Sequence, residues 1–219
     1  MNILIACEES QRETIELRKK GHDAFSCDIL PCSGNHPEWH IHHDVTPYVK
    51  GNCSFTTMDG KEHYIDKWDM ILAHPPCTYL CACGSRWLNV DRYGEKALKR
   101  IEEREKAIKF FLMFTELPCD KIMIENPKGY MSTHWRKPDQ IIQPYFFGEP
   151  VKKTTCLWLK NLPPLLPTNI VDPDIIEYTY NTKASYWFYN TSFLPKEERS
   201  IARSKTFKGV AKAIANQWG

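Results

Sequence analysis

At 219 residues the chain fits one domain, or one domain with a modest insertion, and its 42% hydrophobic content is enough for a sizeable core. A formal net charge of +2, from 29 basic and 27 acidic side chains, allows a nucleic-acid partner without announcing one, since dedicated binders usually show a basic stripe, and no run of about 18 apolar residues exists to cross a membrane. Nine cysteines at irregular spacing argue for reduced thiols and a cytoplasmic setting rather than a disulfide framework.

The opening Asn2 to Cys7 reads as a strand and not as a signal peptide, because no basic lead precedes it. Ser10 stands three residues before Glu13, a capping-box spacing that predicts a helix over 11–20, and Gly21 supplies its stop. Ala24 to Ile29 reads as a second strand, which makes the opening a strand–helix–strand unit. Pro31 to His43 reads as a loop. Residues 53–65 suggest a hairpin about Asp59-Gly60, the dipeptide of a type I′ turn.

A strand is expected over 68–73 and another over 121–125. Between them, Leu98, Ile101, Ile108 and Phe111 recur at helical spacing and predict a helix over 95–114 whose apolar face they form. Beyond Pro127 the pattern weakens, with prolines punctuating short extended pieces such as Thr155 to Leu159. A last helix is predicted near 208–217, with Val210, Ala213, Ile214 and Trp218 on one side. Strands alternating with helices over the first 125 residues indicate an α/β, doubly wound, mostly parallel sheet. Residues 1–130 would form its core, 131–200 a small irregular lobe, and 201–219 a helix returning to the core.

Two strand ends carry the chemistry. His74-Pro75-Pro76-Cys77 follows one apolar run and Glu125-Asn126-Pro127 follows the next. In an open parallel sheet the carboxyl ends of neighbouring strands face one crevice, where ligands bind. A thiol and a carboxyl group delivered there suit attack on a pyrimidine. Thiolate addition at C6 turns C5 into an enamine carbon able to take an electrophilic methyl group, while an acid holds or protonates N3. Cys is partly thiolate near neutral pH and intrinsically nucleophilic. Glu serves the second task if burial raises its pKa. The two prolines stiffen the approach to Cys77, and Pro127 restricts Asn126.

Pro75-Pro76-Cys77 with Glu125-Asn126-Pro127 resembles the paired catalytic motifs of DNA cytosine-5 methyltransferases. Ile5 to Gln11, Gly21 to Asp28 and Gly209 to Trp218 resemble the short phage and prophage members of that family. The resemblance implies a Rossmann-like fold that binds S-adenosylmethionine. It places Cys7, Glu8 and Ser10 in the loop by the methionine part, Asp28 at the ribose hydroxyls, and Asp44 near the adenine. His74 and Pro75 stand at the cofactor side. Cys77 is then the nucleophile, Glu125 the group at N3 and the exocyclic amine, and Asn126 and Pro76 shape the site. Amino-methyltransferases carry an aromatic residue where Cys77 stands, which argues for carbon over nitrogen methylation.

Two departures accompany the resemblance. The loop Cys7-Glu8-Glu9-Ser10-Gln11 has no glycine, and the Gln-x-Arg-x-Arg support motif is not visible, leaving Lys152-Lys153-Thr154 or Arg203 as its replacement. A chain of this length leaves little room for a target-recognition domain. DNA is the expected partner, single-stranded or with a short sequence context, and a specificity partner protein would supply what is missing. Free cytidine nucleotides, or nucleic-acid binding without catalysis, are the alternatives. In duplex DNA the cytosine must be flipped out to reach Cys77.

Rival constellations are weaker. Cys27, Cys32, His36, His40, His42 and His43 offer enough ligands for zinc, without the spacing of a familiar finger, and no metal is assigned. Cys81 and Cys83 read as neighbours of the nucleophile in a loop over 78–94 that holds Gly84, Arg86, Trp87 and Gly94. Trp158, Tyr186 and Trp187 read as core, with base stacking as their alternative.

Overall fold

The structure, a computed structural model, describes residues 1–179 and 182–219. It is a mixed α/β fold whose mostly parallel seven-stranded sheet is flanked by helices, compatible with a Rossmann-like fold. β1 (Asn2–Ala6) lies between β2 (Asp23–Asp28) and β6 (Met70–Ala73), with β3 (His40–His42) outside β2 and β7 (Lys121–Pro127) beyond β6. These five are parallel. β9 (Thr155–Lys160) then pairs antiparallel with β7, and β8 (Gln140–Ile142) antiparallel with β9. The order β3-β2-β1-β6-β7 reverses direction between β1 and β6, and that reversal is where an open α/β sheet leaves its ligand crevice.

Alternation along the strands explains the burial. Leu4, Ala6, Ile71 and Ala73 face a core shared with Phe111, Phe114, Trp68 and Trp158. Their neighbours Ile3, Ile5, Met70 and Leu72 face a second core with Leu17, Val210 and Ile214. A strand whose successive side chains all find apolar partners reads as a continuous apolar run, as β1 and β6 do. Each large side chain so buried contributes roughly 1.5–3 kcal/mol. α1 (Arg12–Lys19) and α7 (Lys208–Gln217) cover the second core, and α3 (Glu95–Met113) the first. Phe111 meets Trp158 edge to face at 5.1 Å.

Several local expectations change. Ser10 is not the cap of α1. The chain turns through Gln11 in the left-handed region (φ 56°), and the Glu8 carboxyl group accepts from the Glu13 N–H at 2.8 Å and the Thr14 hydroxyl at 2.7 Å. The hairpin of β4 (Cys53–Thr56) and β5 (Glu62–Ile65) forms, but only Gly60 has positive φ, and Thr57 donates to Lys61 across a three-residue loop. That is a type I turn closed by a left-handed residue, not type I′. Residues 31–43 are not all loop: His40-Ile41-His42 pairs in parallel with Ser26-Cys27-Asp28. Leu98 is 55% exposed, and α3 buries Ala97 and Phe111 instead. The remaining elements are α2 (Val90–Tyr93), α4 (Tyr130–His134), the hairpin of β10 (Ile175–Thr179) and β11 (Thr182–Ser185), α5 (Tyr186–Thr191) and α6 (Lys196–Ser204). No described helix is long and apolar enough to cross a membrane.

Candidate active site

Sheet register builds the site. Ala6 pairs with Cys27 and with Ala73, and Ala73 with Ile124, so these four residues are level. The next residue on each strand, Cys7, Asp28, His74 and Glu125, is therefore a row along the carboxyl edge. Ala73 and Ile124 face the α3 side. Alternation turns His74 and Glu125 towards α1 and α7. They line a small cavity there (30 Å³) with Glu13, Lys153, Thr206 and the apolar Met123, Val210 and Ile214.

The electrostatics of this cavity centre on His74. Its Nε2 lies 3.0 Å from Glu13 Oε2 and its Nδ1 lies 3.5 Å from Glu125 Oε2. Burial works against a charged imidazole, but Glu13 and Glu125 outweigh it and raise the His74 pKa well above its ordinary value. Burial likewise pushes Glu125 up, while the hydrogen bond from His74 and the charge of Lys153 pull harder, so its pKa falls below the usual carboxyl range. This is opposite to the expectation that burial would raise it. Glu8, beneath the same cluster, is pushed up to about 8 by burial and by Glu13.

Asn126 is fully buried and ties the two motifs together. Its side-chain amide donates to the Pro75 carbonyl at 2.7 Å. Pro75 is buried, whereas Pro76 and Cys77 are exposed. The Cys77 carbonyl accepts from the N–H groups of Leu80 and Cys81, which fixes the turn that presents the thiol. Surrounding protein mass and the charge of Glu125 nevertheless push the thiol up to about 11, with Lys153 opposing. The Cys77 side chain rests as a thiol, against the expectation of a partly ionised one. Cys81 and Cys83 sit beside it with their sulfurs 3.0 Å apart.

The expected cofactor residues fall on adjoining ground. Cys7 takes a left-handed backbone (φ 61°) and donates its N–H to the Cys27 carbonyl. Without glycine, the loop makes its turns with Cys7 and Gln11 in a region that non-glycine residues rarely occupy. Asp28 accepts from the Leu30 N–H at 2.9 Å, and burial raises its pKa; Asp44 is exposed and held low by the hydroxyl and N–H of Thr46. Both carboxyl groups act on the Cys7 thiol, whose pKa burial and then Asp28 raise well above its ordinary value. Cys7, Asp28 and Asp44 thus form one acidic corner. Glu8 and Ser10 do not join it, since both are buried and Glu8 is committed to α1.

No protein-family model matches the chain, and no curated protein matches it.

Of the proposed supports, Lys153 belongs to the site, lining its cavity and donating to the Arg203 carbonyl at 2.8 Å. Arg203 itself is engaged by Thr191 and Phe188, and Thr154 by Gln143. Among the described residues no group of three or more His, Cys, Asp and Glu is placed to hold a metal ion. His40 is buried between Ser26 and the Leu30 carbonyl, and His36 stacks on Trp39. Trp158 is core, whereas Tyr186 is 48% exposed. Sequence reasoning missed Glu13 and Thr206 as site residues. Glu13 had a helix-capping explanation, and Thr206 reaches it at 3.1 Å from 193 positions away.

Proposed function

We propose that this protein transfers a methyl group to C5 of cytosine in DNA through a covalent bond between Cys77 and C6. The observation that carries the reading is the lock from Asn126 to Pro75, which holds an exposed thiol and an ionised, partly exposed carboxyl group on the carboxyl ends of adjacent parallel strands. The acidic corner of Cys7, Asp28 and Asp44 fits S-adenosylmethionine by its chemistry, since two carboxyl groups suit ribose hydroxyls and an amino-purine. When bound, that cofactor supplies an electrophilic methyl group.

The residues divide the remaining work. Cys77, exposed on its turn, loses its proton to solvent and attacks C6. The C5–C6 π pair shifts towards C4 while the C4–N3 pair takes a proton at N3, delivered through Glu125. C5 is then nucleophilic and would take the methyl group as its bond to the cofactor's sulfonium sulfur breaks, that electron pair staying on sulfur. Loss of the C5 proton to water expels Cys77, and the N3 proton returns to Glu125. DNA supplies the base in an extruded or single-stranded form, because Cys77 at a strand end is out of reach of a stacked ring.

The deciding experiment incubates the protein with S-adenosylmethionine and random-sequence DNA containing 5-fluorocytosine. Fluorine at C5 cannot leave as a proton, so the reaction stalls as a protein–DNA adduct visible by intact mass. An adduct that needs both cofactor and Cys77 is expected. Its absence from folded protein that binds the cofactor, with turnover of deoxycytidine phosphates instead, would give the nucleotide substrate. Absence of both adduct and cofactor binding would leave a binding module.

A further inference from the structure

Glu13, His74 and Glu125 meet at the cavity with Glu8 packed behind them, and the reaction as described leaves Glu8, Glu13 and His74 without a task. Glu13 is fully buried at the start of α1; Glu8 lies under it and His74 beside it, with only 11% of the His74 side chain exposed. Burying two carboxyl groups and an imidazole is costly unless each is paired. The pairing is specific. Glu8 is bonded to the Glu13 N–H and the Thr14 hydroxyl, and Glu13 accepts from the Thr206 hydroxyl at 3.1 Å through Oε1 and faces His74 through Oε2. Arg12 holds the Thr206 carbonyl at 2.6 Å.

The two ring nitrogens of His74 face carboxyl oxygens on opposite sides, at 3.0 Å and 3.5 Å. Ionised carboxyl groups only accept, so both contacts are satisfied at once when both nitrogens carry hydrogen. The titratable groups around the ring are Glu13 from α1, Glu8 from the loop before it, and Glu125 from β7 with Lys153 beyond.

Resting on the methyl-transfer reading above, we infer that His74 is a positioning residue: held as an imidazolium between Glu13 and Glu125, it is a buried proton store that fixes Glu125 and exchanges one proton with N3 through it. As Cys77 adds to C6, the His74 Nδ1 proton passes to the Glu125 carboxylate, and the carboxylic acid so formed hands that proton on to N3 and is a carboxylate again. His74 is left neutral, still donating Nε2–H to Glu13. When the C5 proton leaves and the C6–sulfur bond breaks, the N3 proton returns by the same path. The inventory closes without any group beyond these.

The test pairs a readout that needs no turnover with one that does. Histidine ring nitrogen shifts in the full chain are followed against pH for wild type, Glu13→Gln and His74→Gln. One histidine, absent from His74→Gln, should stay charged at pH 8, and in Glu13→Gln it should titrate at least one pH unit lower. A His74 that titrates at or below pH 6.5 in wild type overturns the proton store, whatever the activity. In single-turnover methylation, Glu13→Gln should lower the rate at pH 8 by tenfold or more and move the acid limb of the profile, while S-adenosylmethionine binding is unchanged. An unshifted profile in both variants overturns the positioning role. Because His74→Gln strands two buried carboxyl groups and is the variant at risk of misfolding, Glu13→Gln carries the kinetic arm. Wild type that transfers no methyl group sinks the reaction reading alone, and the nitrogen shifts still decide the proton store.

Discussion

The side-chain amide of Asn126 reaches the carbonyl of Pro75 across 51 residues of sequence, at 2.7 Å and out of contact with water. One hydrogen bond thereby sets the spacing between the strand that carries Glu125 and the turn that carries Cys77. Replacing Asn126 with Leu leaves the Pro75 carbonyl buried without a partner, which costs roughly 1–3 kcal/mol. The expected result is a lower denaturant midpoint with a loss of methyl transfer larger than the stability change explains. Full activity in a destabilised but folded Asn126→Leu protein would show that the lock does not position Cys77.

Cys77 allows a cleaner separation of chemistry from folding. Its side chain is exposed and contributes little packing, so Cys77→Ala should shift stability by less than about 0.5 kcal/mol. Methyl transfer should disappear. With the thiol pushed up to about 11, only about one molecule in ten thousand carries a thiolate at pH 7. Alkylation of Cys77 by iodoacetamide should rise about tenfold per pH unit through pH 10. A rate that levels off near pH 8 would refute the raised pKa.

Stability should depend on pH in a direction set by Glu8 and His74. Both hold a proton more tightly folded than unfolded, Glu8 at about 8 and His74 well above its ordinary value. Their contribution is complete below the unfolded pKa of each group and is lost as pH rises through the folded one. Between pH 7 and 9 the melting temperature should therefore fall, the Glu8 site alone losing on the order of 1 kcal/mol of stability across that window. Glu8→Gln should flatten that fall. The lowered pKa of Glu125 acts at the other end, adding stability above about pH 4.5 that is lost on acidification. A melting temperature that climbs from pH 7 to 9 would contradict the assignment.

Gly129 marks the second contact between the two motifs. It bridges to Cys81, and a Cβ built on it would overlap the Leu80 carbonyl oxygen and lie 2.9 Å from the Cys81 Cα. The atoms in the way are backbone, so the turn carrying Cys77 must move. Gly129→Ala should cost about 1–3 kcal/mol, as overpacking commonly does, and lower the adduct yield with 5-fluorocytosine. Wild-type stability and yield in this variant would mean that the bridge is dispensable.

The strands and the two long helices of the sheet were legible because they obey local rules. Apolar runs of four to six residues ended at prolines or at polar residues, and Val210, Ala213 and Ile214 recurred at helical spacing. β3 was not legible. His40-Ile41-His42 is a short polar stretch in a segment rich in proline and glycine, and it becomes a strand only because β2 offers an unpaired edge. Leu98 misled for the opposite reason: helical periodicity says which residues share a face, not which neighbour covers that face.

The site divides the same way. Sequence alone determined that a thiol and a carboxyl group follow the apolar runs of two consecutive strands, because proline, strand length and parallel pairing are readable along the chain. Only the tertiary structure decided their state. Glu13 and Thr206 come from distant segments, and together with Glu125 they line the same small cavity as His74. Ionisation there follows from desolvation and from charges a few ångströms away, and both depend on distances in space that the order of residues does not contain.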